Sequence, residues 1–325
     1  MIAKKHVALL FALSLGVLMN VPGSRAAEYA FTTYPLGGLA FGAGITPPPG
    51  FYVTNVTGFY DGTIGGNFDF GGRTFGAGAK AQIFSGETNL LYVPDAKAFD
   101  GLIGFSLSVP TAYVDYTAEA IGPRGNLVTA HTDGTGLGDF VYQFQIGWDK
   151  PDFSHSFYAL FVAPTGRYQT GFYPFAGLNR PSFDIGWAFT YFDKDSKIQL
   201  NGSIGFMASV ENEATQYQTG DEVHFEWAIG YKFTGALLIG VVGYDYRQVT
   251  GDSGKGAILG PFESAADAIG PGFSYTTKFY ETPITINVRD YEQYNAKHFF
   301  QGNAAIASVT AAFPAAQALE GAPLK

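Results

Sequence analysis

The sequence predicts an all-β protein: a transmembrane antiparallel up-and-down barrel of about twelve strands, with short periplasmic turns and long extracellular loops. Three observations predict it. Apolar residues form 46% of the 325 and aromatic residues 16%. Yet beyond the first 26 residues no stretch approaches the roughly 18 consecutive apolar residues of a helical span, so the apolar content is dispersed. It is dispersed by alternation, the period of a strand with two unlike faces. And the connections between the alternating segments run long, short, long, short, as on the two rims of an outer-membrane barrel.

The chain opens on Lys4, Lys5 and His6, then the apolar run 7–21, then Pro22-Gly23-Ser24-Arg25-Ala26. That order is basic region, apolar region and small-x-small cleavage site of a secretory signal peptide. The run is about 15 residues, short of the roughly 20 of a membrane-spanning helix. Residues 1–26 are therefore expected to be removed after export through the periplasm to a bacterial outer membrane.

Charged residues are 14% of the chain, against about 25% in soluble domains, which suits a wall facing lipid. Removing 1–26 takes Lys4, Lys5 and Arg25 and no acid. That leaves 16 basic and 28 acidic residues, a net of −12. A basic footprint for nucleic acid is lacking. The chain has no Cys, which excludes disulfides, thiolate metal sites and a lipid anchor on an N-terminal Cys.

Residues 27–49 come next. Pro47-Pro48-Pro49 cannot donate ladder hydrogen bonds, so this is no central strand. Tyr29, Phe31, Tyr34, Leu36, Leu39, Phe41 and Ile45 make it too apolar to trail in water. It is expected inside the lumen, with Tyr29, Phe31, Tyr34 and Phe41 constricting it. Packing on the periplasmic rim stays open.

The barrel is expected over 50–313. Its candidate strands are 50–60, 77–92, 101–115, 138–149, 154–164, 181–193, 196–210, 222–234, 236–248, 272–281, 283–290 and 298–313. In 222–233, Val223, Phe225, Trp227, Ile229, Tyr231 and Phe233 alternate with Glu222, His224, Glu226 and Lys232. Segment 140–148 sets Phe140, Tyr142, Phe144, Ile146 and Trp148 against Gln143 and Gln145. Segment 183–191 sets Phe183, Ile185, Trp187, Phe189 and Tyr191 against Asp184. In 198–210, Ile198, Leu200, Ile204 and Phe206 oppose Gln199 and Asn201. Runs of nine to twelve residues exceed the roughly five or six of soluble strands and fit tilted membrane strands. The long connections are 61–76, 116–137, 165–180 and 249–271; Arg180 falls in one of them and is expected outside. Phe313 closes the last strand, and a tail, 314–325, follows.

The polar faces are expected to line the lumen. Candidates are Glu222, His224, Glu226, Lys232, Asp184, Gln143, Gln145, Gln199 and Asn201, with Asp245 and Arg247 on the strand after Glu226. They either cross-link the interior or take part in solute passage. Phe84 is read on the same inner face.

Catalytic and metal motifs are weak. Gly251-Asp252-Ser253-Gly254 resembles the surroundings of a serine nucleophile, but Lys255 breaks the pattern and no partner His or Asp is identifiable. His155-Ser156 are adjacent, so they face opposite sides of a strand. No His pair has ligand spacing, and Asp193-Lys194-Asp195-Ser196 reads as a polar turn. No enzyme, cofactor or metal is expected.

Several stretches resemble the outer-membrane channel family associated with the meta-pathway of phenol degradation. They are Pro47-Pro48-Pro49-Gly50-Phe51-Tyr52; Gly136-Leu137-Gly138-Asp139 leading to Gly147-Trp148; Ala163-Pro164-Thr165-Gly166-Arg167-Tyr168; and Asn212 to Gly220-Asp221. The fullest is Val242-Gly243-Tyr244-Asp245-Tyr246-Arg247-Gln248-Val249-Thr250-Gly251-Asp252-Ser253-Gly254. The resemblance implies a barrel of about twelve strands and uptake of small hydrophobic or aromatic compounds. Expected partners are outer-membrane lipid and such solutes, with the chain acting as a monomer. A structural or adhesive barrel with a closed lumen, or a surface enzyme on a barrel, are the other readings.

Overall fold

The computed structural model describes residues 28–70, 73–121, 127–169, 176–258 and 260–315. The signal segment 1–26 and all but the start of the tail lie outside the described residues. After a 3-10 turn at Glu28–Ala30, the chain forms β1 (Gly50–Phe70), β2 (Arg73–Val93), a two-residue β3 (Lys97–Ala98), β4 (Gly101–Ile121) and β5 (Leu127–Leu137). Then come β6 (Phe140–Asp149), β7 (Phe153–Ala163), β8 (Ser182–Asp193), β9 (Ile198–Ser209) and β10 (Glu222–Lys232). The last are β11 (Leu237–Gln248), β12 (Ala265–Phe279), β13 (Thr282–Lys297) and β14 (Gln301–Pro314).

Every pairing is antiparallel. The order runs β2-β1-β14-β13-β12-β11-β10-β9-β8-β7-β6-β4, and β2 also pairs with β4. That last pairing closes the wall where the twelve strands run together, while the upper end of β1 past Thr63 and the outer edge of β5 stand clear of it. Twelve strands make the wall, as the alternation predicts; β3 and β5 are appendages of β4. β14 pairs β1 from Gly50↔Pro314 to Thr63↔Gln301, which puts Phe313 on the closing seam.

Side-chain alternation follows the pleat. Ile185, Ile204, Phe206, Ile229, Ile239 and Val309 face outward and are exposed. Their cross-strand neighbours continue the band: Trp187 opposes Ile204, and Ile229 opposes Leu200 and Val241. At the short-turn end this band meets an aromatic ring. Phe51 stacks on Tyr92 at 4.5 Å, Trp148 on His155 at 5.1 Å and Phe153 on Phe189 at 6.1 Å, while Tyr231 meets Phe233 edge-on at 4.9 Å. Aromatic side chains of mixed polarity at one rim are the girdle of a membrane barrel.

Four expectations are corrected here. Residues 61–76 are not a loose loop: β1 and β2 stay paired to Phe70↔Arg73. Likewise 116–137 is the β4–β5 hairpin, paired from Thr111↔Leu137 to Ile121↔Leu127. At about 3.3 Å per residue, 21-residue strands reach roughly 70 Å and must project beyond a core of about 30 Å. Gly-rich composition hid their alternation. Third, β12 starts at Ala265, with a register shift at Asp267/Ala268 where Tyr294 of β13 has no opposite residue in the ladder. This bulge broke the period the sequence offers there. Phe84 is also outward, 57% exposed, not on the inner face.

Residues 28–46 run through the barrel interior. Glu28 lies at the long-connection end, bonded to Asn212 and Thr215. Thr46 lies low on β6, accepting from Gln145 Nε2 at 3.0 Å. Pro47–Pro49 then lead to Gly50, at the short-turn end of β1.

Candidate functional site: the lumen and its N-terminal segment

The segment is held by buried charges on β10 and on β13, three strands further round the wall. Glu226 on β10 receives Gly37 N at 2.5 Å, Leu39 N at 2.8 Å and Tyr34 Oη at 3.3 Å. From β13, Arg289 donates to Gly37 O at 2.9 Å and Gly38 O at 2.7 Å. Carboxylate and guanidinium thus grip the two sides of one turn, with charge-assisted bonds at the short end of the range. Gly37 sits at φ +78°, and a Cβ there would meet Tyr291 Cε2 at 2.7 Å. Only glycine fits both the backbone and the space.

Above this grip, Thr32 donates to Glu222 at 2.7 Å, and Arg180 donates to Phe31 O at 2.6 Å and ion-pairs with Glu28 at 3.7 Å. Below it, Gly42 N bonds Asn201 Oδ1 at 2.8 Å and Gly44 N bonds Thr190 Oγ1 at 3.1 Å. A Cβ on Gly44 would strike Phe189 Cα at 2.4 Å, so the segment runs flush against β8. Tyr34 stacks on His224 at 3.5 Å, and His224 Nε2 lies 3.1 Å from Asp184 Oδ2. The segment's unpaired backbone groups are therefore met by wall side chains, as a strand-free peptide inside a barrel requires.

The sequence-derived candidates divide cleanly. Glu222, His224, Glu226, Asp184 and Asn201 are inward and at most 1% exposed. Gln143 and Gln145 are inward and bonded to each other. Gln199 lies beside Asn201, and Lys232 stands 5.2 Å over the Phe192 ring near the short-turn end. Phe31 stacks on Phe300 at 4.9 Å, and Phe41 packs against the Ala228–Val242 cluster. The Tyr29 side chain lies outside the described part.

Asp245 and Arg247 are corrected. They oppose Phe225 and Val223 and so face outward with them. Arg247 binds Asp267 of β12 there, and Asn295 joins at 2.6 Å. The inward residues of β11 are Val242, Tyr244 and Tyr246, all at most 3% exposed. β11 is apolar on both faces, so its parity could not be read from hydropathy. The Tyr246 hydroxyl donates a hydrogen bond to Glu222 at 2.8 Å. Arg180 lies in the long β7–β8 connection as expected, but its side chain turns inward and is fully buried. Arg289 and Tyr291 were missed. Their signal was weak, because Val288-Arg289-Asp290-Tyr291-Glu292 alternates charge with β-formers on either parity.

Three of the motif stretches behind the family resemblance, around Asp139, Asn212 and Asp252, organise connections at the long-loop rim, whereas Pro47–Tyr52 and Gly147-Trp148 lie at the short-turn end. Asp139 receives Gly166 N at 2.8 Å and Leu178 N at 2.7 Å. Asn212 bridges Asn179, Leu178 and Glu28. Asp252 receives Tyr217 Oη, Gly220 N at 3.1 Å and Gln248 Nε2 at 2.7 Å. Burial pushes the Asp252 carboxyl up to about 6 and raises that of Glu28. Asp252 is thus a loop organiser, and Ser253 beside it bonds Gln218 through its backbone. His155 faces out onto Trp148 while Ser156 faces in.

The family described as "Putative MetA-pathway of phenol degradation" matches residues 65–309. No curated protein sequence matches. Among solved structures, the COG4313 outer membrane channel from Pseudomonas putida F1 is 12% identical, over 84% of this chain and 98% of that one, with a TM-score of 0.61. A FadL homologue of Pseudomonas aeruginosa is 10% identical over 90% of this chain and 98% of its own, with a TM-score of 0.40. The CymD monoaromatic hydrocarbon channel is 7% identical over 83% of this chain and 90% of its own, at 0.42.

Proposed function

Because the chain belongs to the phenol-degradation MetA-pathway family, we propose that it is a monomeric outer-membrane channel for small hydrophobic or aromatic compounds, narrowed by its own N-terminal segment. The observation that carries this reading is the lumen itself. It is closed all round by paired strands, yet occupied by a peptide held through side-chain bonds rather than by ladder pairing. A purely structural barrel could fill its interior with wall side chains alone. Phe31, Phe299 and Phe300 pack into an apolar cluster at the long-loop end, with Phe31 and Phe299 edge-on at 6.4 Å. Transport, not catalysis, is the reading: Ser156 and His155 lie on opposite faces, and Asp252 is engaged in loop bonds.

The test is planar-bilayer recording of the full chain and of a 28–46 deletion that keeps the signal segment. Small, infrequent conductance is expected from the full chain and larger openings from the deletion, with both folded by heat-modifiable gel mobility. Silence from both folded proteins would reject the channel. A deletion strain compared with its parent on hydrophobic carbon sources then identifies the solute.

A further inference from the structure

The upper end of the interior segment is built in rather than left trailing. The chain enters the barrel at its long-connection end through the 3-10 turn Glu28–Ala30, where Ala30 holds φ +59° and is buried. The Glu28 carboxylate accepts from Asn212 Nδ2 at 3.2 Å and from Thr215 Oγ1 at 2.7 Å, and its carbonyl accepts from Arg180 at 3.5 Å. Side chains of the β7–β8 and β9–β10 connections thus close on one residue.

The charges gathered there are uneven. Glu28, Glu222 and Asp252 are each at most 4% exposed, and a single guanidinium, Arg180, acts on all three. His224 adds its ring beside Glu222. Tyr217 joins the other two acids: its hydroxyl binds Asp252, and the Glu28 charge acts on it as well. Arg180 also gives a donor to Phe31 O at 2.6 Å. Thr219 Oγ1 is 1% exposed and one residue from the Gly220 amide that binds Asp252, and it has no partner among the described residues. The cluster therefore holds an open acceptor beside its carboxylates and is short of a cation, which is costly where water is excluded.

We propose that the missing cation is the chain's own α-ammonium, made at Ala27 when the signal segment is removed. A signal peptidase hydrolyses the Ala26–Ala27 peptide bond with one water: Ala26 leaves with the carboxylate, and Ala27 keeps the nitrogen as an amine that is mostly protonated at neutral pH. Covalent geometry holds that nitrogen within about 5 Å of the Glu28 Cα, beside the carboxylates that lack a partner. In the precursor the same nitrogen is an uncharged amide. The 26 residues before it would also have to leave by the long-loop rim, past the connections that close on Glu28. Processing at export is then the step that completes the upper anchor of the interior segment. This goes beyond the channel reading and stands whether or not a solute crosses.

Amino-terminal sequencing of the exported, folded chain is expected to begin at Ala27; a retained signal segment or another first residue overturns the proposal. Inserting Gly-Ser-Gly-Ser between Ala26 and Ala27 keeps the signal segment and its cleavage site but moves the amine about 13 Å along the chain. An N-hydroxysuccinimide ester should label the α-amine of the folded natural chain about ten-fold more slowly than that of the inserted chain, because pairing by one pKa unit removes nine-tenths of the reactive neutral form. Labelling is read peptide by peptide, so that lysines are counted apart. The urea midpoint of the natural chain in detergent should lie about 0.5 M or more above that of the inserted chain. Charge is separated from packing by repeating the insertion in a Glu28→Gln, Asp252→Asn background, or in Asp252→Asn alone where the double variant does not refold. There the insertion should shift the midpoint far less. An equal shift with and without the acids, no shift in the natural background, or equal labelling of the two chains overturns the proposal.

Discussion

Arg180 and Arg247 show how one residue's value depends on what surrounds it. Arg180 is fully buried against Glu28 and the Phe31 carbonyl. Arg180→Ala leaves Glu28 buried and unpaired and should cost about 3–5 kcal/mol, since breaking a buried pair strands a charge. Chemical unfolding in detergent measures it, and Glu28→Gln in the same chain should recover part of the loss. Arg247 sits on the outer face with its side chain 22% exposed. Its partner Asp267 is buried but keeps Asn295, so Arg247→Ala should cost less than Arg180→Ala, about 1–3 kcal/mol. Asp252 gives the pH prediction. Its carboxyl is raised to about 6 by burial, so the fold favours the protonated form. That contribution is full below the ordinary carboxylate range of about 4 and is lost as pH rises through 6. Protease nicking of the 249–264 connection should therefore increase between pH 5 and 7, and Asp252→Asn should remove the difference.

At the scale of an element, wall strands and the interior segment obey different rules. β10 carries Phe225, Trp227 and Ile229 toward lipid and Glu222, His224 and Glu226 toward the lumen. Phe225→Arg or Trp227→Arg puts a charge in the bilayer and should cost roughly 2–4 kcal/mol. Gln143→Arg, on a half-buried inward site, should cost much less. Urea titrations of refolded barrels compare them. The segment 28–46 has no ladder and depends on the Gly37 turn. Gly37→Val cannot hold φ +78° or the 2.7 Å approach to Tyr291. It is expected to raise channel conductance toward that of the 28–46 deletion while leaving the barrel's gel mobility unchanged. Unaltered conductance would show that the turn does not hold the segment.

The whole molecule is a lipid-facing cylinder with an asymmetric interior. Its outward band of Ile185, Ile204, Phe206 and Val241 has no protein cover. The mature chain should therefore need detergent to stay dispersed, and sedimentation corrected for bound detergent should give one copy per micelle. A monodisperse preparation without detergent would contradict the membrane placement. The interior asymmetry arises because a single short peptide can satisfy its backbone against only part of a twelve-strand wall.

The sequence by itself determined the wall. Alternation in β6, β8, β9 and β10 set strand number, strand limits and the inward face, because a two-residue period admits only two parities and lipid rewards one of them. It determined that 28–49 could be neither wall strand nor solvated tail, since Pro47–Pro49 remove donors and Phe31, Tyr34 and Phe41 resist water. Parity at β11 was decided only by tertiary pairing. Leu237, Leu238, Val241 and Val242 suit both faces, and the register with β10 put Tyr244 and Tyr246 inside and Arg247 out. The Gly-rich hairpins 61–76 and 116–137 were likewise settled by their partners, because glycine carries no face to read. And the grip of Glu226 and Arg289 on Gly37 joins residues 189 and 252 positions apart. No local pattern encodes such a contact; closing the barrel around the segment creates it.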